Sequence, residues 1–339
     1  MNRRQFTLTA GAAALSRAAA APAAERTTMG VAATCYMTFA RPKDTLAFLE
    51  HCAALGAGGI QMSLSSLEPE SIARLRARAR ELGMYVEAMG ALPRTADTAL
   101  FERTLAAARE AGALCLRTAC LSGRRYETFA DLASWRRFVD DGLAALDRAL
   151  PIAEKHGVAL ALENHKDWTA RELAAIVRAR KHPLLGVCLD TGNNISLLDD
   201  PMEVVETLAP YAVSTHIKDM AVEGWRDGFL LAEVPLGTGM LDLKKVVGSI
   251  REARPRTRFT LEMITRNPLE IPCLTEKYWA TFPERGGREL ARALRMARDR
   301  GASRPLPRVD GMTAAAQAQL EEENVRACLR YARAELGLA

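Results

Sequence analysis

The chain lacks most of what would place it at a membrane or on nucleic acid. No apolar run approaches the length of a membrane span. The net charge is only +5, from 46 Lys and Arg against 41 Asp and Glu. Removing the first two dozen residues would take away Arg3, Arg4 and Arg17 and no acid, leaving +2 (5 − 3). So weak a charge gives no electrostatic case for nucleic acid or an anionic bilayer. Histidine is scarce, with five in 339 residues. His51, His156 and His182 fall in or beside stretches of helical period, which leaves too few for a multi-zinc cluster. The seven cysteines (35, 52, 115, 120, 188, 273 and 328) match no disulfide framework and no zinc knuckle. Cys115 and Cys188 lie in apolar runs, where cysteine acts as a small hydrophobe. No glycine-rich loop follows the first apolar run, which counts against an open dinucleotide-binding sheet.

What is present is a large apolar fraction, 49%, beside an ordinary 26% of charged residues. The N-terminus reads Arg3-Arg4-Gln5-Phe6, then a mildly apolar stretch to Leu15, then alanines around Pro22. This resembles a twin-arginine export signal over residues 1–25, with a periplasmic or exported destination expected. That route carries folded cargo, which suits a protein with unpaired cysteines.

Eight short apolar runs follow: Met29–Ala33, Gly59–Met62, Met84–Ala88, Leu114–Arg117, Ala159–Glu163, Gly186–Asp190, Ala212–His216 and Phe259–Glu262. Helical period separates them over Asp44–Leu55, Pro69–Leu82, Thr98–Ala111, Asp131–His156, Thr169–Lys181, Pro201–Leu208 and Leu241–Ala253. Glycine stands just past four of these, where a helix C-terminus takes it. The alternation predicts an α/β fold, a single (β/α)8 barrel over 26–300, with a linker and C-terminal helix over 301–339. Ala119–Ala130, Ile217–Gly239 and Met263–Pro283 are expected as long loops on the catalytic face. The Ala- and Glu-rich Met312–Leu336 is expected to pack on the barrel, with a homo-oligomer contact left open.

Polar residues close the last four runs: Glu163, Asp190, His216 and Glu262. The C-terminal ends of barrel strands share one mouth, so these side chains are expected to meet there. Three carboxylates and an imidazole form a hard, oxygen-rich donor set. It suits one divalent ion, Mn²⁺ first, with Mg²⁺, Co²⁺ or Zn²⁺ as alternatives.

The strand ends Glu163-Asn164-His165, Cys188-Leu189-Asp190-Thr191-Gly192-Asn193, His216-Ile217-Lys218-Asp219 and Thr260-Leu261-Glu262, with the loop Pro235-Leu236-Gly237-Thr238-Gly239, resemble the xylose isomerase-like barrel superfamily. The order of ligands is nearest the tagatose-epimerase branch. Glu163-Asn164-His165-Lys166 and Glu262 to Pro268 look like 3-oxo-isoapionate decarboxylases. The resemblance implies that Glu163, Asp190, His216 and Glu262 hold the ion, and that Glu163 and Glu262 exchange a carbon-bound proton of a carbohydrate.

The expected activity is a sugar isomerase or epimerase acting through a stabilised enediolate on a free sugar or sugar acid. Decarboxylation of a 3-oxo sugar acid, or β-elimination from a 3-keto glycoside, is the alternative. A non-catalytic exported sugar-binding protein is the third reading. His165 is a further catalytic candidate. Lys166, Lys218, Asn193, Glu87 and Arg117 are candidate substrate contacts, with Gln61 and Arg266 behind them. Lys218 has a second reading as the partner of Asp219. Trp168, Trp225, Phe229, Tyr278 and Trp279 are expected in the core sooner than in the pocket wall.

Overall fold

The structure, a computed structural model, describes residues 25–37 and 42–339. The export-signal segment up to residue 24 lies outside the described residues.

Eight parallel strands form the barrel wall. They are β1 (Gly30–Ala32), β2 (Gly59–Met62), β3 (Tyr85–Met89), β4 (Cys115–Thr118), β5 (Ala159–Glu163), β6 (Leu185–Asp190), β7 (Ala212–His216) and, after an inserted hairpin, β10 (Thr260–Leu261). The hydrogen-bonded order is β10-β1-β2-β3-β4-β5-β6-β7. Ile217 closes the ring. Its N–H donates to the Thr260 carbonyl at 2.8 Å, and its own carbonyl accepts from the Glu262 N–H at 3.1 Å. The two-residue β10 owes its place to that bracketing as much as to its own pairing with β1.

Local sequence sets the helices. Asp44, Asp131, Asp200 and Asp242 each accept a hydrogen bond from a first-turn N–H. Thr169 and Glu172 form a reciprocal capping box before Ala170–Arg180. Gly112 and Gly157 end their helices at φ +75° and +63°, backbone that a Cβ would strain. Gly59 is needed for another reason. A Cβ there would meet the Tyr85 ring at 2.4 Å, and that ring holds its hydroxyl 2.9 Å from Thr260 Oγ1.

The connections after β7 and β10 depart from the expected loops. Asp219–Trp225 (β8) and Gly228–Val234 (β9) form a hairpin, and Leu269–Ile271 (β11) adds a third antiparallel strand. The turn is Arg226-Asp227 followed by Gly228, an Asp-Gly signal of hairpins. Phe229, Tyr278 and Phe282 bury themselves between this sheet and the helices that follow it. Trp168 packs in the main core. These aromatics are core rather than pocket wall.

The C-terminal helix Ala314–Glu335 places Val325, Cys328, Leu329 and Ala332 in the main core. Beyond it the Leu338 carbonyl accepts from the Thr28 N–H at 2.8 Å, just before β1. Among the described residues no helix is long and apolar enough to cross a membrane.

Candidate active site

Glu163, Asp190 and His216 are the last residues of β5, β6 and β7, and Glu262 follows β10. Asp190 stands in register with His216. One ligand atom from each of the four lies within 4.8 Å of all the others. All four residues are buried, at most 3% exposed.

His216 is oriented from below. Its Nε2 lies 2.6 Å from Gln61 Oε1. The Gln61 amide donates to Glu87 Oε2 at 2.9 Å, which leaves its carbonyl oxygen facing the imidazole. Nε2 therefore carries the proton. Nδ1 then faces Glu163, Asp190 and Glu262 at 3.4, 3.7 and 3.4 Å. Nδ1 makes no hydrogen bond of normal geometry among the described residues, while Glu163 Oε2 and Asp190 Oδ2 lie against Arg117 and Lys218. Three buried carboxylates facing one ring nitrogen favour positive charge between them. Hard oxygen donors around an imidazole fit a divalent ion, and these four residues would hold it.

Asp190 is fixed by the N–H groups of Gly192 and Asn193 on Oδ1, at 2.8 and 2.7 Å. The Asn164 side chain clamps the Asp190 backbone from both its N–H and its carbonyl. Thr34 donates to Glu262 Oε1 at 2.7 Å. Burial pushes the Glu262 carboxyl up, and the neighbouring His216, Lys218 and Arg117 outweigh this to hold it well below the usual range.

Above the quartet lies a cavity of about 620 Å³, lined by Thr34, Arg117, His165, Lys166, Glu262 and Arg266 among others. Arg117 reaches Glu163. His165 Nδ1 lies 2.9 Å from the Leu121 carbonyl, so Nδ1 is the donor and Nε2 is left as an acceptor.

Four sequence candidates are buried and committed to protein partners. Glu87 occupies the middle of β3 and lies fully buried beneath His216, bonded to Gln61, Ser214 and Thr260. Its place is a layer below any substrate. Gln61 shares that layer. Asn193 is 1% exposed and commits its amide to protein groups. It donates to Glu163 Oε1 at 3.0 Å and accepts from Lys166 and Lys218. Lys218 pairs with Glu262 at 2.6 Å and Asp190 at 3.1 Å. It does not pair with Asp219, whose oxygens take N–H groups of Gly237, Gly239 and Leu241.

Glu233 on β9 was not among the candidates. It is 3% exposed, pairs with Arg266, and lies 3.6 Å from Lys218.

A (β/α)8 barrel with a three-carboxylate, one-histidine cluster at the strand ends defines the class. The family model of the xylose isomerase-like TIM barrel matches residues 49–296, and the chain belongs to that family. It is 34% identical over 217 residues to 3-oxo-isoapionate decarboxylase of Pectobacterium atrosepticum, across 62% of this chain and 74% of that protein. Among solved structures, D-psicose 3-epimerase of Clostridium cellulolyticum H10 with D-tagatose superposes with a TM-score of 0.54 at 17% identity, over 80% of this chain and 96% of that one. A xylose isomerase-like TIM barrel protein of Mycobacterium smegmatis in complex with magnesium gives 0.51 at 18%, over 79% and 98%. At such identities the two structures speak for the fold alone.

Proposed function

We propose that this protein is a divalent-cation-dependent enzyme that isomerises or epimerises a sugar or sugar acid. The convergence of Glu163, Asp190, His216 and Glu262 within 4.8 Å, with Glu262 lining the cavity, carries the reading. A divalent ion held there, Mn²⁺ in this proposal, would supply positive charge against an oxyanion developing on the substrate. Glu163 ends β5 and Glu262 follows β10, so the two carboxylates come from different parts of the ring. One carboxylate takes the proton from the carbon beside the carbonyl, and the other, protonated, returns one to the opposite face or the neighbouring carbon. His165 Nε2 accepts a substrate hydroxyl. Arg117 holds Glu163 in place.

The 34% identity to a decarboxylase favours a second reading. The same groups would then act on a 3-oxo sugar acid. The bond to the carboxylate carbon breaks, its electron pair passes to the neighbouring carbonyl, carbon dioxide leaves, and a protonated carboxyl supplies hydrogen to the carbon. Incubation of sugars, sugar acids and 3-oxo sugar acids with Mn²⁺ in deuterium oxide, followed by NMR, tests both. Deuterium in recovered substrate or an epimer supports proton transfer, while carbon dioxide supports the second reading. Neither signal, in protein shown to bind Mn²⁺, overturns both.

Export through the twin-arginine route belongs to the same proposal. It rests on Arg3-Arg4 and on seven cysteines that are free and buried. Fractionation of cells expressing the whole chain, with and without Arg3→Lys and Arg4→Lys, tests it.

A further inference from the structure

The buried cations around the quartet pair off with carboxylates, with one exception. Arg117 meets Glu163, Lys218 meets Asp190 and Glu262, and Arg266 meets Glu233. Lys166 lines the cavity, is 4% exposed, and bonds through Nζ to Asn193 Oδ1, an uncharged oxygen that Lys218 also uses at 3.2 Å. Among the described residues no carboxylate oxygen lies within 4.0 Å of Lys166 Nζ. Residues 1–24 and 38–41 contain no Asp or Glu that could supply one.

The backbone holds Lys166 there against its own preference. Its φ is +66°, left-handed for a side-chain-bearing residue, a conformation that costs about 1 kcal/mol and persists where the surroundings impose it. Asp167 does so by accepting from the N–H groups of His165, Trp168 and Leu121 at 3.2, 2.8 and 3.1 Å. The Lys166 carbonyl accepts from the Arg125 N–H at 3.0 Å. Burial first, then Lys218 and Arg266, push the ammonium down to about 7, and Glu233 and Asp190, beyond ion-pair distance, oppose this only in part.

An uncompensated buried charge is costly, and a ligand that brings an anion relieves it.

We propose that Lys166 docks a carboxylate of the substrate, so that the site takes a sugar acid in preference to a neutral sugar. This rests on the sugar-converting reading of the cavity. Two probes separate it from that reading: an aldonate without an oxo group, and the alditol of the same length, neither able to react. Calorimetry on the Mn²⁺-loaded whole protein is expected to show the aldonate bound about tenfold tighter than the alditol, the scale of one charge-assisted hydrogen bond. Lys166→Met abolishes that preference without changing Mn²⁺ affinity, and Lys166→Arg keeps it. Equal binding of the two probes by the unaltered protein overturns the proposal. So does a Lys166→Met protein that binds Mn²⁺ and still prefers the aldonate. Protein that binds no Mn²⁺ counts against the cation-dependent reading instead, and the same comparison without the ion still tests Lys166.

Discussion

Gln61 Oε1 holds His216 Nε2 at 2.6 Å, and Glu87 holds Gln61 from the other side at 2.9 Å. The chain Glu87–Gln61–His216 sets the imidazole tautomer, and with it the nitrogen turned toward the three carboxylates. Such outer partners of a metal-binding histidine typically contribute about 10–100-fold in metal affinity. Gln61→Leu should therefore weaken Mn²⁺ binding by about that factor while the protein stays folded. Glu87→Gln should cost less, because a hydrogen-bonding group remains. Calorimetric titration with Mn²⁺ checks both, and unchanged affinity in Gln61→Leu would remove the orienting role.

The same pair shows where sequence reading loses its hold. Glu163, Asp190 and His216 were legible because each ends a strand-length apolar run, and a parallel barrel sends all such ends to one mouth. Glu87 looks similar, as it stands near the end of the run Met84–Ala88. Yet β3 runs on to Met89, which drops Glu87 a layer below the mouth. Strand length decides the layer, and run length misjudges it by a residue or two. Glu233 was invisible for another reason. It lies on a hairpin folded back over the barrel, and no period of the barrel reports a fold-back. The Asp227-Gly228 turn was the available cue. Thr34 touches Glu262 only because β1 pairs with β10, a contact 228 residues apart in sequence.

Arg125 is a structural cation and a test of that distinction. Its guanidinium lies 3.7 Å from the Trp135 ring centroid and 4.1 Å from that of Phe282. It also bonds Glu172 at 2.9 Å and Thr281 Oγ1 at 3.1 Å. At 2% exposure it ties the loop after β4 to the capping box of Ala170–Arg180 and to the segment before Gly287–Asp299. Arg125→Met should lower unfolding free energy by about 2–3 kcal/mol, from a broken ion pair and lost cation–π contacts. Arg125→Lys should recover little, since an ammonium cannot fill the planar slot between the rings. Denaturant midpoints read the difference, and a wild-type midpoint in either variant would refute it.

The C-terminal helix is an integral part of the main core. Leu329 is 4% exposed within the main core, beside Val325 and Cys328. Leu329→Ala should cost about 2–4 kcal/mol, the range for a large-to-small change in a close-packed site. A chain ending at residue 311 should not accumulate as folded protein, because Val325, Leu329 and Ala332 leave the core and Thr28 loses the Leu338 carbonyl. Circular dichroism and soluble yield measure this. A truncated chain with an unchanged melting transition would show the helix to be an accessory.

Glu322 gives that helix a pH-dependent hold on the rest of the barrel. Its Oε2 accepts from the Tyr36 hydroxyl at 2.8 Å and lies 3.1 Å from His51 Nε2, which joins the C-terminal helix to Thr45–Ala54 and to the segment after β1. The His51 bond, opposed by burial and aided by Tyr36, brings the carboxyl down to about 2. An unfolded glutamate titrates near ~4.3. The folded value is the lower one, so the native state binds its proton less readily. The contribution is therefore complete above about pH 4.3 and disappears as pH falls through about 2. Glu322→Gln should melt below the unaltered protein at pH 7, and the gap should close between about pH 4 and pH 2. Other carboxylates titrate over the same range, so the quantity to follow is the difference between the two proteins, not either melting point alone. A gap that persists unchanged at pH 2 would assign the effect to packing and remove the charge from the account.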